Sequence, residues 1–306
     1  LGYVNVTATS QNNASQSEVA YTITNVLQER YLSLSVDNSS VEGPHKGSVR
    51  FTFTVTNSGN GQDRVDITGE PPQGWSSPNI SPTYFALAAG ASGQFTVDQG
   101  IPSDALHQGY TLIVKAKSRD DNTNSTSSVT VDVTQKYGIQ VTVPGSNSKD
   151  FNPGATKVYN FTVKNKGNGE DTFSISQSGI PQGWSWALSD SSVSLGADKD
   201  QNVGLTVTVP NNYENFGPLE VELIAVSDGN ATARDNSTKI IINVQKSYSV
   251  VLTCNNPNQN GFPEDTIYYE ITITNDGNAE DLIDISIDQG AYSDWSSIND
   301  TLHTIA

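Results

Sequence analysis

The chain of 306 residues contains one cysteine, Cys254, so no disulfide can form within it. Basic residues are scarce. Sixteen Lys and Arg face 33 Asp and Glu, for a net charge of −17. Phosphate backbones are bound by clustered cations, so this balance argues against nucleic acid as a partner. No apolar run approaches the ~20 residues that a helix needs to cross a bilayer. No charged-then-apolar leader opens the chain. The three histidines, His45, His107 and His303, match no metal-ligand spacing. There is no Gly-x-Ser-x-Gly elbow, no phosphate-cradling glycine loop and no Cys–His pairing. Carboxylates are plentiful, but a glycosidase pair needs a deep cleft, and nothing here reads as the inserted loops that build one. No catalytic residue is assigned, and an enzyme is not expected.

What is present is a period of two. Phe51, Phe53 and Val55 alternate with Thr52, Thr54 and Thr56, as in a strand with one buried and one wet face. Val129, Val131 and Val133 follow the same rule, as do Leu32, Leu34 and Val36, and Ile139, Val141 and Val143. In Val250, Leu252 and Cys254 the alternation puts the cysteine on the inner face, where it reads as a small buried hydrophobe. No window of ten residues carries a helical period. Short strands broken by Asn, Gly and Ser turns predict an all-β sandwich.

The same module recurs. Phe51-Thr52-Phe53-Thr54-Val55-Thr56-Asn57-Ser58-Gly59-Asn60-Gly61 returns as Phe161-Thr162-Val163-Lys164-Asn165-Lys166-Gly167-Asn168-Gly169. It returns again as Ile271-Thr272-Ile273-Thr274-Asn275-Asp276-Gly277-Asn278-Ala279. Pro72-Gln73-Gly74-Trp75 is matched by Pro181-Gln182-Gly183-Trp184, with Trp295 at the corresponding place. A period of about 108–110 residues is the size of one immunoglobulin-like sandwich. Four segments follow: residues 1–29, the C-terminal half of a repeat; 30–135 and 136–246, two whole repeats; and 247–306, the N-terminal half of another. An excerpt of a longer array explains the halves most simply. The alternative is strand donation between neighbouring copies, although the two halves together lack about twenty residues of a repeat. The Asn-Gly segments at 57–61, 165–169 and 275–278 are expected to be hairpin turns between paired strands.

Several residues invite a ligand. Trp75, Trp184 and Trp295 offer a periodic face for stacking sugars, against the plainer reading that each closes one end of a core. Trp186 has no counterpart in the other repeats and is the best single candidate for exposure. Asp63, Asp171 and Asp281 beside their turns, and Asp120-Asp121 in a hairpin, raise calcium at repeat junctions. The plainer alternative makes them solvated turn residues and caps. Nine Asn-x-Ser/Thr sequons occur, against roughly seven expected by chance from the composition. Asn13, Asn124, Asn230 and Asn236, read as hairpin positions, are the leading glycosylation candidates.

The core aromatic-Thr-x-Thr-Val-x-Asn-x-Gly-Asn, with an acidic residue after the turn and then Pro-x-Gly-Trp, resembles the CARDB-like and NPCBM-associated immunoglobulin-like domains of archaeal and bacterial surface proteins. The likeness runs through Phe51–Trp75 and Phe161–Trp184 and more loosely through Ile271–Trp295. The third copy departs from it with Ala279 in place of glycine and no Pro-x-Gly before Trp295. The resemblance implies a tandem immunoglobulin-like sandwich in an extracellular setting: a surface-layer subunit, stalk or filament whose partners are copies of itself or surface glycans. A spacer or carbohydrate-binding region of a larger secreted hydrolase is the alternative it leaves open.

Overall fold

The computed structural model describes residues 2–143, 145–213, 217–288, 296–299 and 301–305. They form strands and turns, with no helix among the described residues, in two compact units, Leu1–Lys136 and Tyr137–Ala306. The fold is all-β, as the period of two predicts.

The first unit opens with a hairpin of β1 (Gly2–Thr9) and β2 (Ser17–Thr24). A complete sandwich follows, built from β3 (Leu32–Val36), β4 (Ser40–Gly43), β5 (Ser48–Asn57), β6 (Asp63–Glu70), β7 (Asn79–Ser81), β8 (Tyr84–Leu87), β9 (Ser92–Gly100), β10 (Gly109–Ser118) and β11 (Asn124–Val133). One sheet runs β3-β5-β9-β7 and the other β4-β11-β10-β6-β8. Alternate residues of both sheets meet in the middle. Phe51, Phe53, Val55, Val65, Phe95, Val97, Leu112, Val114, Val129 and Val131 are all buried. The rings of Phe53 and Phe95 stack across β5 and β9 at 5.5 Å. Burying each such ring contributes about 2–3 kcal/mol. In this thin sandwich that layer has to stand in for a disulfide.

The second unit repeats the plan with β12 (Ile139–Thr142), β13 (Ser148–Phe151), β14 (Thr156–Asn165), β15 (Asp171–Ser178), β16 (Ser185–Leu188), β17 (Ser192–Leu195), β18 (Asp200–Thr208), β19 (Leu219–Ser227), β20 (Arg234–Asn236) and β21 (Ile240–Val244). The sheets are β12-β14-β18-β16 and β13-β21-β19-β15-β17, with β20 beside β19. Tyr159 replaces a phenylalanine in this core. Its hydroxyl donates to the Ile241 carbonyl at 3.1 Å, and burial pushes its phenol pKa up. Two further strand pairs complete the unit: β22 (Val250–Cys254) with β23 (Ile271–Asn275), and β24 (Asp281–Asp284) with β25 (Leu302–Ile305).

Two expectations are corrected. The Asn-Gly segments do not join paired strands. β5 lies in one sheet and β6 in the other, and β14 and β15 are split in the same way. Each segment is therefore a corner that carries the chain between sheets. The same turn residues serve because a corner and a tight hairpin make similar demands on the backbone. The second correction concerns Cys254, which is only half-buried, while Val250 and Leu252 beside it are exposed. β22 and β23 form a two-stranded sheet on which Val250, Leu252 and Ile271 stay exposed.

One turn shows the repeat at the level of a single dihedral angle. Eleven residues before the corner asparagine stand Lys46 (φ 63°), Gly154 (φ 75°) and Glu264 (φ 75°). Only glycine takes this left-handed geometry without cost. At Gly154 an added Cβ would also collide with Asn211 Oδ1. Lys46→Gly is expected to raise the stability of the first complete repeat by about 0.5–1 kcal/mol. Denaturant unfolding followed by Trp75 fluorescence measures it, and an unchanged or lowered midpoint would contradict the strain argument.

Candidate functional site: the corner that meets the linker

Three asparagines at the end of the β5-type strand are used identically. The Asn57 Nδ2 donates to the carbonyls of Gly61 at 2.8 Å and Leu87 at 3.0 Å, and its Oδ1 accepts from Gly59 N–H at 2.9 Å. Asn165 makes the same bonds to Gly169 and Leu195, each 2.8 Å, and from Gly167 at 2.7 Å. Asn275 bonds Ala279 at 2.8 Å, Ile305 at 3.0 Å and Gly277 at 3.0 Å. The exchange of glycine for Ala279 leaves this geometry intact. Asn57 and Asn165 are fully buried, so each side chain satisfies backbone groups that the change of sheet strips of ladder partners.

The next asparagine in the motif faces the incoming linker. Asn60 Oδ1 accepts from Glu29 N–H at 2.8 Å, its Nδ2 donates to the Leu27 carbonyl at 2.9 Å, and its own N–H donates to the Glu29 carbonyl at 3.1 Å. Asn278 does the same to its linker. Ser247 N–H donates to its Oδ1 at 2.7 Å, and its N–H donates to the Ser247 carbonyl at 3.0 Å. Its Nδ2 reaches the carbonyls of both Gln245 and Tyr213 at 3.2 Å, so one amide ties the linker and the preceding repeat together. Gly59 and Gly277 precede these asparagines because the linker backbone passes where a side chain would stand; a Cβ there would collide with the carbonyls of Glu29 and Ser247. Asn168 holds the equivalent position and is buried.

The acidic residue after each corner has a different role from the one expected. Asp63 and Asp171 are buried rather than solvated. Each accepts a 2.7 Å hydrogen bond from a serine about 55 residues further on, Ser118 Oγ to Asp63 and Ser227 Oγ to Asp171. The Arg30 guanidinium from the linker lies 3.7 Å from Asp63. These buried carboxylates bind protein groups, and among the described residues no three His, Cys, Asp or Glu side chains converge to hold a metal ion.

Trp75 and Trp184 each follow a Pro-x-Gly turn with glycine at positive φ, closed by a bond from the Trp N–H to the proline carbonyl. Each indole lies against a tyrosine, Tyr110 at 4.6 Å and Tyr213 at 4.9 Å. Trp184 is buried and Trp75 half-buried, which favours the core-closing reading over an open stacking face. Trp186 lies on β16 at the sheet edge and is 45% exposed. Trp295 lies outside the described residues. The four sequon asparagines are exposed. Asn13 and Asn230 lie in turns and accept bonds from their own Ser15 and Thr232 hydroxyls at 2.6 and 2.8 Å. Asn124 begins β11. Asn236 ends β20 rather than sitting in a turn, and reaches Glu222 at 3.2 Å.

Several exposed charges are paired, Arg50 with Asp98 across β5 and β9, and Arg64 and Asp66 of β6 with Asp120 and Arg119 of the turn after β10. Arg119 holds the Asp66 carboxyl below its usual pKa, Arg50 does so for Asp98, and Arg64 for Asp120, chiefly through side-chain hydrogen bonds. Sequence reasoning missed the serines and both uses of asparagine, whose one visible signal was the doubled Asn in Asn-x-Gly-Asn.

No family model matches the chain, and no curated protein matches it. Similar solved structures include a protein of unknown function from Porphyromonas gingivalis W83, with 11% identity and a TM-score of 0.28, covering 69% of this chain and 99% of that one. The D0-D1 domain of intimin has 13% identity and a TM-score of 0.25, with coverage of 71% and 99%. The Escherichia coli chaperone DraB has 12% identity and a TM-score of 0.27, with coverage of 71% and 98%. Likenesses at these scores carry no argument, and the fold rests on the chain's own strand order and two-sheet packing. The chain is an immunoglobulin-like β-sandwich protein.

Asn165→Ala leaves two carbonyls and one N–H unpaired at a closed corner, and is expected to destabilise the second complete repeat by about 2–4 kcal/mol. Urea unfolding of the full chain reads this directly; a loss under ~1 kcal/mol would demote the corner bonds. The depressed carboxylates fix a pH dependence. Their contribution is present above the unfolded Asp value of about 3.9 and disappears as pH falls through the lower folded values. Stability of the first unit should therefore drop below about pH 4. In Arg119→Gln that drop should shrink, as measured by thermal melts between pH 2 and 6.

Proposed function

We propose that this chain is a structural component of a cell surface, a surface-layer subunit, stalk or extracellular filament of tandem immunoglobulin-like repeats. The resemblance to CARDB-like and NPCBM-associated domains of archaeal and bacterial surface proteins supports this reading. One observation carries it: the asparagine clasp by which Asn60 and Asn278 each fasten a linker to the repeat that follows. A linker hydrogen-bonded along its length by a dedicated side chain transmits force and orientation, which a flexible tether does not. The neighbouring chemistry agrees. Buried carboxylates are spent on internal serines, tryptophans close cores, and exposed sequon asparagines offer places for glycans. The partners in this reading are other copies of the chain and, at the rim, surface glycans.

The test has two arms. Intact cells treated with a membrane-impermeant amine reagent should yield labelled chain, while labelling only after lysis would refute a surface location. Asn278→Ala should open the linker at 245–248 to protease at least several-fold faster, with the melting of the first complete repeat unchanged. Equal cleavage in variant and parent would remove the clasp as the basis of the proposal.

A further inference from the structure

The chain contains three Asn-Gly pairs, Asn60-Gly61, Asn168-Gly169 and Asn260-Gly261. Such a pair can react with itself, because glycine places no Cβ in the way and lets its nitrogen turn toward the asparagine side chain. The glycine nitrogen attacks the asparagine Cγ and gives up its proton. Nδ2 departs as ammonia, and a five-membered imide closes. Water then opens the imide at one carbonyl or the other, which leaves aspartate or isoaspartate.

The three pairs stand in three settings. Asn260 is exposed and Asn168 is buried. Asn60 is exposed but clasped. Its Nδ2, the atom that must leave, donates to the Leu27 carbonyl at 2.9 Å, and its Oδ1 accepts from Glu29 N–H at 2.8 Å. The attacking residue is covered by the same linker. The Gln28 side chain lies against Gly61 and is held there by a 2.7 Å bond from its Nε2 to the Gln62 carbonyl. The clasp at Asn278 is built differently, since Ala279 follows it and puts a methyl group beside the attacking nitrogen.

We infer that Asn60 is a site of spontaneous deamidation gated by the linker. While the clasp is closed the amide is kept from Gly61; when the linker lifts, the two react. An aspartate at this position has no N–H to give the Leu27 carbonyl and sets a negative charge beside it, and isoaspartate also lengthens the backbone. The opened clasp therefore does not close again, whereas the one at Asn278 re-forms each time. The inference rests on the reading of Asn60 as a linker clasp and is independent of where the chain resides.

The test incubates the folded, full-length chain in mildly alkaline buffer and follows each Asn-Gly pair by peptide mass spectrometry, with isoaspartate resolved by chromatography. Asn260 should convert first and Asn168 not measurably. Asn60 should lag Asn260 by about ten-fold or more, the protection that two net hydrogen bonds give. Glu29→Pro removes the N–H that Asn60 Oδ1 accepts. It should bring the rate at Asn60 up toward that at Asn260, while Asn168 and the melting of the first complete repeat stay as in the parent. Gly61→Ala should slow conversion at Asn60 and at neither other pair. Once Asn60 has converted, the linker at 25–31 should be cut faster by protease than in fresh chain. No conversion at Asn60 in parent or Glu29→Pro overturns the inference, and so does a rate indifferent to Glu29→Pro or to Gly61→Ala. If Asn60 stays intact while Asn278→Ala still frees its own linker, the clasp stands and only the gated reaction falls.

Discussion

A buried asparagine at the end of a strand is the constraint on which the rest depends. A sandwich must pass its chain from one sheet to the other, and at that point two carbonyls and an N–H lose their ladder partners inside the protein. Asn57, Asn165 and Asn275 supply all three bonds from one amide. No other side chain of that size carries both a two-proton donor and an acceptor in one plane. With the corner fixed, the acidic residue six positions on is buried where a distant serine can meet it, and the following asparagine is turned outward to the linker. Core, corner and junction are consecutive consequences of five residues.

This arrangement explains how a chain with little apolar content and no cross-links maintains discrete domains. The core of each repeat is a single interleaved layer of phenylalanine, valine, leucine and isoleucine. Specificity comes from buried polar groups, the corner amide and the serine–aspartate bond, which are costly to leave unmade and so oppose alternative registers.

Much of this was legible in the sequence. Alternation such as Phe51-x-Phe53-x-Val55 fixes which residues face inward, and the recurrence of Asn-x-Gly-Asn fixes the module. What was not legible depended on separation. Ser118 and Asp63 are 55 positions apart, and nothing near either residue announces the other. The corner was mistaken for a hairpin because local turn chemistry is nearly the same in both, and the difference lies in which sheets the flanking strands join. Cys254 was expected to be buried, yet its exposure depends on strands that face it, a property no single strand encodes. The left-handed backbone at Lys46 and Glu264 was hidden because neither residue advertises it; only Gly154 at the same point of the other repeat does.

The tyrosines that flank the two tryptophans come from different places. Tyr110 stands on a strand of its sheet, whereas Tyr213 comes from the loop before β19. Adjacent modules of near-identical pattern run the risk of exchanging strands as they fold. A hybrid of these two would place both tyrosines on one indole, or neither. Each indole is thus closed by a ring drawn from a different part of its own repeat.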